Sequence, residues 1–314
     1  MRIFALQGTH KLGMAVVEAM GATLDPHEER MFEDGEHKAR PLVTVRSDDV
    51  YVIHSLAGDT RQSANDKLMQ LLFFLAACRE NGAERVTAVV PYLAYARKDR
   101  QTKQRDPVTT RYVAQLFEAM GTDTVVAFDV HNLAAFQNAF RCHTVHIEPM
   151  GLFAADIVER TKGSEIAVVA PDAGAVKRAQ MLKEALEKAT GTPASLGFME
   201  KHRSAGVVSG DLFTGDVANK DVIIADDMIS SGGTILRAAL ACKDRGARTV
   251  HAYATHGVFS PQINALLEND AVASVTVTDS VDRTVANGAK IRTLSCASLL
   301  ARKIRHLNSA ANPI

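Results

Sequence analysis

Short apolar runs rich in β-branched residues alternate along this chain with longer amphipathic segments, many of which close at a glycine. Such alternation is typical of an α/β protein, in which helices connect buried strands. In the first half of the chain, strands are predicted at Val50–His54, Arg85–Pro91 and Thr124–Asp129. Helices are predicted at Asn65–Asn81, with Gly82 just beyond its end, and at Pro107–Met120, with the proline as its first residue.

The second half of the chain repeats this alternation. Its predicted strands are Glu165–Ala170, Asp221–Ala225 and Thr249–His256, and its predicted helices are Ala175–Ala189, Thr234–Arg245 and Cys296–Leu307. Strands that are apolar throughout are buried on both faces, which is typical of parallel sheets. We therefore predict an α/β fold with mainly parallel sheets flanked by helices.

An internal repeat divides the chain into two similar halves. The segment Leu75–Tyr95 matches Ala239–Phe259 without a gap, so that Cys78 falls on Cys242. Repeats of this kind indicate duplicated structural units, and 314 residues are enough for two ordinary domains. We predict two tandem, duplicated domains at residues 1–148 and 149–314, with the boundary near Pro149.

The charge balance of the chain argues against one class of function. The 36 Lys and Arg residues equal the 36 Asp and Glu residues, so the net charge is zero. A protein that binds nucleic acid or an anionic membrane through its overall field carries a basic excess. We therefore predict no nucleic-acid and no membrane partner, and we expect local cationic clusters to bind any anionic ligand.

Three features of the sequence bear on the compartment. The chain has no run of about 18 apolar residues, and its N-terminus lacks an apolar segment followed by a cleavage site of small residues. Its four cysteines are far apart and form no CxxC pair: Cys78, Cys142, Cys242 and Cys296. This spacing favours reduced thiols over disulfides or a zinc site. The prediction is a soluble, cytoplasmic protein.

The strongest chemical signal is the segment Ile223–Leu240, in which an apolar strand runs into Asp226 and Asp227, a turn of small residues and a helix. In α/β proteins, ligands bind at the carboxyl ends of parallel strands. Backbone amides at a helix N-terminus bind phosphate, whereas the acids suit sugar hydroxyls or a phosphate-bound Mg²⁺. The segment predicts a sugar-phosphate site, and the alternative is a capped helix with solvated acids.

Two further polar segments are candidates for function. The loop from Tyr92 to Asp106 is densely cationic in a neutral protein, and its alternative interpretation is a solvated loop. The segment Lys201–Gly210 lies between two apolar runs and contains two glycines. Its composition predicts a mobile lid whose closure would exclude water from a site.

Six motifs, in order along the chain, resemble those of the ribose-phosphate diphosphokinase family, also called phosphoribosyl diphosphate synthetases. They are Phe32–Glu36, Asn65–Leu72, Pro91–Arg100, Asp129–Phe140, Pro171–Ala179 and Asp226–Thr234. The resemblance covers essentially the whole chain. It implies two tandem type I phosphoribosyltransferase-like domains, and transfer of the β,γ-diphosphoryl group of MgATP to the C1 hydroxyl of ribose 5-phosphate.

The resemblance also implies roles for individual residues. Ribose 5-phosphate would be bound by Asp226, Asp227, Ser230, Ser231, Gly232, Gly233 and Thr234. ATP would be bound by Phe32, Asp34, Glu36, Arg97, Lys98, Arg100 and His131, with Phe32 and Glu36 reaching the adenine from a neighbouring subunit. Mg²⁺ would be held by His131 and Asp172, and Lys201 and Arg203 would stabilise the transferred group in the transition state.

Some positions leave alternatives open. Imidazole is an unusual Mg²⁺ ligand, and without the resemblance His131 would be interpreted as a buried hydrogen-bonding histidine. His143 and His146 could suggest zinc, but they are interpreted as residues of a strand. Ser230 replaces an acid that is frequent in the family, from which we expect altered affinity for ribose 5-phosphate or metal.

Other differences from the regulated members of the family concern assembly and function. The stretch after the cationic loop lacks their pattern, so phosphate activation, ADP inhibition and a hexameric assembly are left open. We expect a homo-oligomer between dimer and hexamer. Two alternative functions are a non-catalytic regulatory homologue and a phosphoribosyltransferase that consumes phosphoribosyl diphosphate.

Overall fold

The computed structural model describes residues 1–161, 163–204, 207–282 and 289–311, with side chains described outside residues 200–212 and 310–311. The described residues divide into two compact units. The first unit contains residues 1–147, 280–282 and 295–311, and the second contains residues 148–279 and 289–294. The second unit is therefore not the contiguous stretch 149–314, because the C-terminal helix belongs to the first unit.

The first unit is built on a parallel sheet covered by helices. Its five strands, in sheet order, are β1 (Arg2–Ala5), β4 (Asp49–Ile53), β5 (Arg85–Val90), β6 (Thr124–Phe128) and β7 (His143–Ile147). Its helices are α1 (His10–Met20), α2 (Ala64–Glu80), α3 (Thr109–Ala119), α4 (Leu133–Ala139) and α9 (Ala297–Ala311). Helix α9 packs on α1 through Leu300 and Ile304, which are buried against Val16, and this contact explains why the last helix belongs here.

A separate antiparallel hairpin lies on the first unit. It consists of β2 (His27–Met31) and β3 (His37–Pro41). The rings of His37 and Phe73 stack with their centroids 5.4 Å apart, which fixes the hairpin on α2. Its residues are mostly polar and lack the alternation that predicts a strand, so no local pattern indicated the hairpin.

The second unit contains a larger, mixed sheet. Its strands, in sheet order, are β10 (Val207–Thr214), β9 (Ser195–Ser204), β8 (Ile166–Ala170), β11 (Asp221–Ile229), β12 (Thr249–Gly257), β13 (Ser274–Thr278) and β14 (Ile291–Leu294). Within this sheet, β9 and β10 are the only described neighbours that pair antiparallel. Its helices are α5 (Met150–Thr161), α6 (Val176–Thr190), α7 (Gly233–Asp244) and the single turn α8 (Asn264–Leu267).

The same strand order occurs in both units. The order β1-β4-β5-β6-β7 in the first corresponds to β8-β11-β12-β13-β14 in the second, and all neighbours in both series are parallel. The repeat in the sequence falls on equivalent elements, α2–β5 and α7–β12. The predicted α/β fold with mainly parallel sheets flanked by helices is confirmed.

One local prediction differs from the structure. Helix α3 begins at Thr109, so Pro107 lies before the helix rather than at its first position. The backbone of the predicted lid, Lys201–Gly210, lies mostly in the β9–β10 hairpin, where Lys201 pairs with Asp211 and Arg203 with Val208. None of the described helices combines the length and the apolar character that a membrane crossing requires.

None of the four cysteines forms a disulfide. Burial raises the pKa of Cys78 and of Cys242 to about 12. Cys142 is half-buried, and its pKa is raised to about 11, first by burial and then by the charge of Glu118. The thiols of Cys78, Cys142 and Cys242 are therefore protonated at neutral pH and are weak nucleophiles.

Candidate active site

Strand β11 extends beyond its pairing with β8, and the extension contains the two acidic residues Asp226 and Asp227. The sequence predicted that the strand ends at Ala225, but it continues to Ile229, paired with Gly257 of β12. On the other side, the pairing with β8 ends at Ile224. Asp226 and Asp227 therefore lie on an extended strand that is paired on one side only, at the carboxyl edge where α/β proteins bind ligands.

The turn after β11 depends on one glycine. Gly232 is the N-cap of α7 and has φ +78° and ψ −5°, a left-handed conformation that favours glycine. A Cβ at this position would lie 2.9 Å from side-chain atoms of Leu266. No side chain caps α7, so the first amides of the helix are available to an anion. The hydroxyls of Ser231 and Thr234 also have no hydrogen-bond partner among the described residues.

The two acids occupy different environments. Asp227 is buried, and its Oδ1 lies 4.0 Å from Nη1 of Arg178 on α6. Asp226 is more accessible, and its Oδ1 accepts a hydrogen bond from the amide of Asp227 at 2.8 Å. The pKa of Asp226 is raised well above its usual range, first by burial and then by the negative charge of Asp227. The site therefore holds more negative charge than Arg178 neutralises.

Asp172 lies after β8, at the same edge of the sheet. Its Oδ1 accepts hydrogen bonds from the amides of Gly174 at 2.9 Å and Ala175 at 3.2 Å, whereas its Oδ2 has no partner among the described residues. A free carboxylate oxygen and an under-neutralised acidic pair are hard oxygen donors, which fit a divalent cation such as Mg²⁺. No group of three His, Cys, Asp or Glu residues in the described part of the chain forms a metal site.

The cationic loop of the first unit is partly organised by its own residues. Nζ of Lys98 lies 2.6 Å from Oδ2 of Asp106, which also accepts hydrogen bonds from Thr102. Lys98, predicted as a nucleotide ligand, is thus already paired. Arg97 and Arg100 are exposed and form no hydrogen bond or ion pair with other described residues. The free guanidinium groups are the stronger candidates for binding a triphosphate.

The segment around His131 is tied to this loop. The side chain of Asn132 donates a hydrogen bond to Asp99 at 2.6 Å, and its Oδ1 accepts one from the amide of Ala135 to cap α4. Asp129, just after β6, is buried and has φ +44°, an uncommon conformation for a residue with a side chain. His131 is exposed beside this turn. The structure thus brings the predicted ligand His131 and the cationic loop together.

The remaining histidines of this stretch have other surroundings. His143 and His146 lie on β7, as predicted. Nε2 of His146 accepts a hydrogen bond from the amide of Val130 at 3.2 Å, which places its proton on Nδ1. This bond occupies Nε2, one of the two ring nitrogens through which a histidine can bind a metal.

The motif Phe32–Glu36 forms the tip of the β2–β3 hairpin. The amide of Phe32 donates to the carbonyl of Glu36 at 2.7 Å, and Asp34 accepts from the amide of Glu36 at 3.0 Å. The ring of Phe32 is exposed and lies under the guanidinium of Arg30, with Cζ 5.0 Å from the ring centroid. No hydrogen bond or ion pair joins this tip to the cationic loop within the described residues.

The catalytic candidates Lys201 and Arg203 lie in β9, and their side chains are outside the described part of the chain. Their roles stay predictions from the family motif.

The loop of the first unit that is equivalent to the turn after β11 is closed by its own side chains. It connects β4 to α2. Oδ1 of Asp59 accepts hydrogen bonds from the amides of Arg61 at 2.7 Å and Gln62 at 2.9 Å. Its Oδ2 lies 2.7 Å from Nζ of Lys67, which is buried. A carboxylate of the chain itself thus takes the position that an anion would take in such a turn.

The start of helix α2 is also satisfied internally. Ser63 and Asp66 form a capping box, in which each side chain accepts a hydrogen bond from the other residue's amide. Burial would raise the pKa of Asp59, but the hydrogen bonds from Lys67 and the two loop amides lower it overall. Of the two equivalent loops, only the one after β11 leaves its amides and hydroxyls without such partners.

This chain is similar to known proteins over nearly its whole length. Residues 1–121 match the N-terminal domain of ribose phosphate pyrophosphokinase, and residues 207–312 match the phosphoribosyl synthetase-associated domain. The ribose-phosphate pyrophosphokinase of Granulibacter bethesdensis is 36% identical over 315 residues, which cover 99% of this chain and 98% of the relative. That of Haemophilus influenzae is 35% identical and covers 98% and 96%.

This chain belongs to the ribose-phosphate pyrophosphokinase family. The crystal structure of phosphoribosylpyrophosphate synthetase from Mycobacterium smegmatis has the same fold, with a TM-score of 0.88 at 31% identity, and the match covers 98% of this chain and 99% of that one. The resemblance inferred from the six motifs is thus confirmed.

Sequence reasoning missed several residues that build the site of this family member. Arg178 balances Asp227, and its signal was its position within the motif Pro171–Ala179. Asn132, which joins two loops, stands beside His131 in another motif. Nothing in the sequence indicated the contact between Asp59 and Lys67, because it depends on how one loop folds back.

Replacement of Gly232 by alanine tests the backbone requirement of the turn. We expect the Gly232→Ala variant to lose about 1–3 kcal/mol of unfolding free energy, since a left-handed alanine is strained and its Cβ meets Leu266. Urea denaturation measures the loss. Gly233→Ala is the matched control, because a Cβ there has only the Ser231 hydroxyl near it, at 3.9 Å. Equal stability of the two variants would contradict the assignment.

Replacement of Asp226 by asparagine tests the excess charge. A carboxyl whose pKa is raised in the folded state costs stability as pH rises above its unfolded pKa. We expect ligand-free Asp226→Asn to melt a few degrees above the wild type at pH 7–8, as for a change of about 1 kcal/mol, with the gap narrowing toward acid pH. Exposed Asp216, whose pKa is lowered by its hydrogen bond from Lys220, is the control: Asp216→Asn should give no gain. A wild type that is more stable than Asp226→Asn at pH 8 would refute this.

Proposed function

We propose that this protein is a ribose-phosphate pyrophosphokinase that transfers the β,γ-diphosphoryl group of ATP to the C1 hydroxyl of ribose 5-phosphate. The products are phosphoribosyl diphosphate and AMP, the former a precursor for nucleotide biosynthesis. The observation that carries the proposal is the turn from Asp226 to Thr234, in a chain that matches its relatives over nearly their full length.

The phosphate of ribose 5-phosphate is assigned to this turn. The uncapped amides at the start of α7 and the hydroxyls of Ser231 and Thr234 are donors, and the helix dipole favours a negative ligand. Ser230, Gly232 and Gly233 form the rest of the turn. The conformation of Gly232 holds these donors in place before the phosphate binds. Less conformational entropy is therefore lost on binding.

The acids are assigned to the sugar. Asp226 and Asp227 accept hydrogen bonds from the ribose hydroxyls, which favour the charged form of a carboxylate. In the ligand-free protein the charge on Asp226 is disfavoured, so sugar binding relieves an existing cost. Because Arg178 faces Asp227, Asp226 is the acid with more capacity to bind.

ATP is assigned to the first unit. Arg97 and Arg100 bind the triphosphate, with Lys98 contributing if its ion pair with Asp106 opens. Phe32, Asp34 and Glu36 at the hairpin tip are suited to adenine, through ring stacking and carboxylate acceptors. Since the tip is exposed, we assign these contacts to a nucleotide on a neighbouring subunit, in a homo-oligomer between dimer and hexamer.

Members of this family require a divalent metal, and we propose Mg²⁺, with Asp172 and His131 as protein ligands. When bound, the metal neutralises charge on the diphosphoryl group. Lys201 and Arg203 are proposed to stabilise the equatorial oxygens of the transferred β-phosphorus as the C1 hydroxyl attacks in line and AMP leaves. Such enzymes supply cytoplasmic nucleotide synthesis, and we place this one in the cytoplasm.

The decisive experiment is a coupled assay for AMP with ATP, ribose 5-phosphate and Mg²⁺. We expect AMP and phosphoribosyl diphosphate in equal amounts. In Lys201→Ala, kcat should fall by about 100- to 1,000-fold or more with KM nearly unchanged, as for a group that acts in the transition state. The exposed Lys188 of the same unit provides the control, Lys188→Ala, which should keep full activity.

The outcomes separate the alternatives. A protein that forms no AMP but binds and activates a catalytic subunit would be a regulatory homologue. One that consumes phosphoribosyl diphosphate together with a nucleobase would be a phosphoribosyltransferase. A raised KM with intact kcat in Lys201→Ala would place this lysine in substrate binding instead.

A further inference from the structure

A polar cavity lies in the second unit, at the amino-terminal ends of β11 and β12. It has a volume of about 170 Å³. Its polar lining consists of Arg160, Thr161, Asp221, Thr249, His251 and Tyr253. The phosphate turn after β11 lies at the carboxyl end of the same strand, so the two sites are at opposite edges of the sheet.

Arg160 is the unusual residue of this cavity. Its Nη1 is buried without a hydrogen-bond partner, and its guanidinium makes no hydrogen bond to any described residue. Buried donors are almost always satisfied, since an unpaired one loses its hydrogen bonds to water without replacement, and the loss is larger for a charged group. The arrangement therefore calls for a partner that is not a side chain of the described residues.

The carboxylates near the cavity are already engaged elsewhere. Asp221 accepts hydrogen bonds from Arg248 at 2.9 and 2.8 Å and from Thr249 at 2.5 Å. Asp156, four residues before Arg160 on α5, accepts two from Arg292 at 2.9 and 2.8 Å.

Tyr253 is committed to the same carboxylate. Its hydroxyl donates a hydrogen bond to Asp156 at 2.6 Å. Of the three arginines Arg160, Arg248 and Arg292, the last two are paired with Asp221 and Asp156, and Arg160 has no carboxylate partner among the described residues. Glu159 and Glu165 are exposed and do not line the cavity.

His251 supplies a second donor. Its Nδ1 lies 2.8 Å from the Ser274 hydroxyl, and its Nε2 has no partner among the described residues. The pKa of His251 is lowered, first by burial and then by the positive charge of Arg160. The ring is therefore neutral at pH 7, and an anion beside Arg160 would oppose this lowering.

We propose that this cavity binds a small oxyanion of the size of sulfate or inorganic phosphate, with Arg160 as its charged partner and His251 as a second donor. The volume holds such a tetrahedral ion together with water. A charge-assisted hydrogen bond from a guanidinium is the contact that such an ion favours. The proposal does not rest on the assigned enzyme activity.

The test follows the ring signals of His251 by NMR in the full-length protein, with His251→Gln used to assign them. Sodium sulfate and sodium phosphate are titrated in parallel, against sodium chloride at matched ionic strength. We expect both oxyanions, but not chloride, to shift the His251 signals saturably. In Arg160→Gln the apparent association constant should fall by about tenfold or more, as for loss of a charged hydrogen-bond donor.

Controls keep the outcome interpretable. Arg302→Gln, on an exposed position of α9, should titrate like the wild type, and Arg160→Lys should retain part of the response. In Gly232→Ala the His251 response should stay intact. A failure of the proposed ribose 5-phosphate site is therefore distinguishable from a failure of the oxyanion site. Signals in the wild type that respond equally to chloride and sulfate would overturn the proposal, as would an unchanged response in Arg160→Gln.

Discussion

The end of strand β11 is the constraint on which the candidate site depends. The strand continues past the last residue paired with β8 while staying paired with β12, and then turns at Gly232 into α7. The extension places two carboxylates at the edge of the sheet. The left-handed glycine orients the first amides of the helix toward the same region without a side-chain cap. The two acids and the turn with its free amides therefore both result from the path of the backbone at the end of β11.

Duplication of one α/β unit explains the strand order that both units share. The two copies differ in the loop that follows the second strand of that order. Each unit has the same parallel strand order, and in each a loop leads from the second strand of that order into a helix. In the first unit this loop is longer, and Asp59, Lys67 and the Ser63–Asp66 capping box satisfy its polar groups. In the second unit the loop is short and rich in glycine and serine. Loss of an anion site in one copy thus requires only a carboxylate that folds into the turn.

The sequence was sufficient for the fold class and for most strands and helices, because apolar runs and terminal glycines are local signals. It failed where the signal is not local. Strand β11 continues through two acids since β12 supplies its hydrogen bonds. The β2–β3 hairpin is polar and is fixed by stacking of His37 on Phe73. Helix α9 joins the first unit through packing with α1, which no pattern in its own sequence reveals.

For the site, residue types and spacing identified the acids, the turn and the cationic loop, but not their partners. The pairing of Lys98 with Asp106 and that of Asp227 with Arg178 arise from loop and helix geometry. These pairings matter chemically because they decide which charges are free for a ligand. Arg97 and Arg100 stay available, and Asp226 carries charge that the protein alone does not neutralise.

Of the two equivalent loops, we propose that only the one after β11 binds phosphate. An amide NMR titration of the full-length protein with ribose 5-phosphate, in the absence of ATP and metal, tests this difference. We expect saturable shifts of the Gly233 and Thr234 amides, with those of Arg61 and Gln62 unchanged because Asp59 already accepts their hydrogen bonds. Equal shifts in both loops, or shifts confined to Arg61 and Gln62, would contradict it.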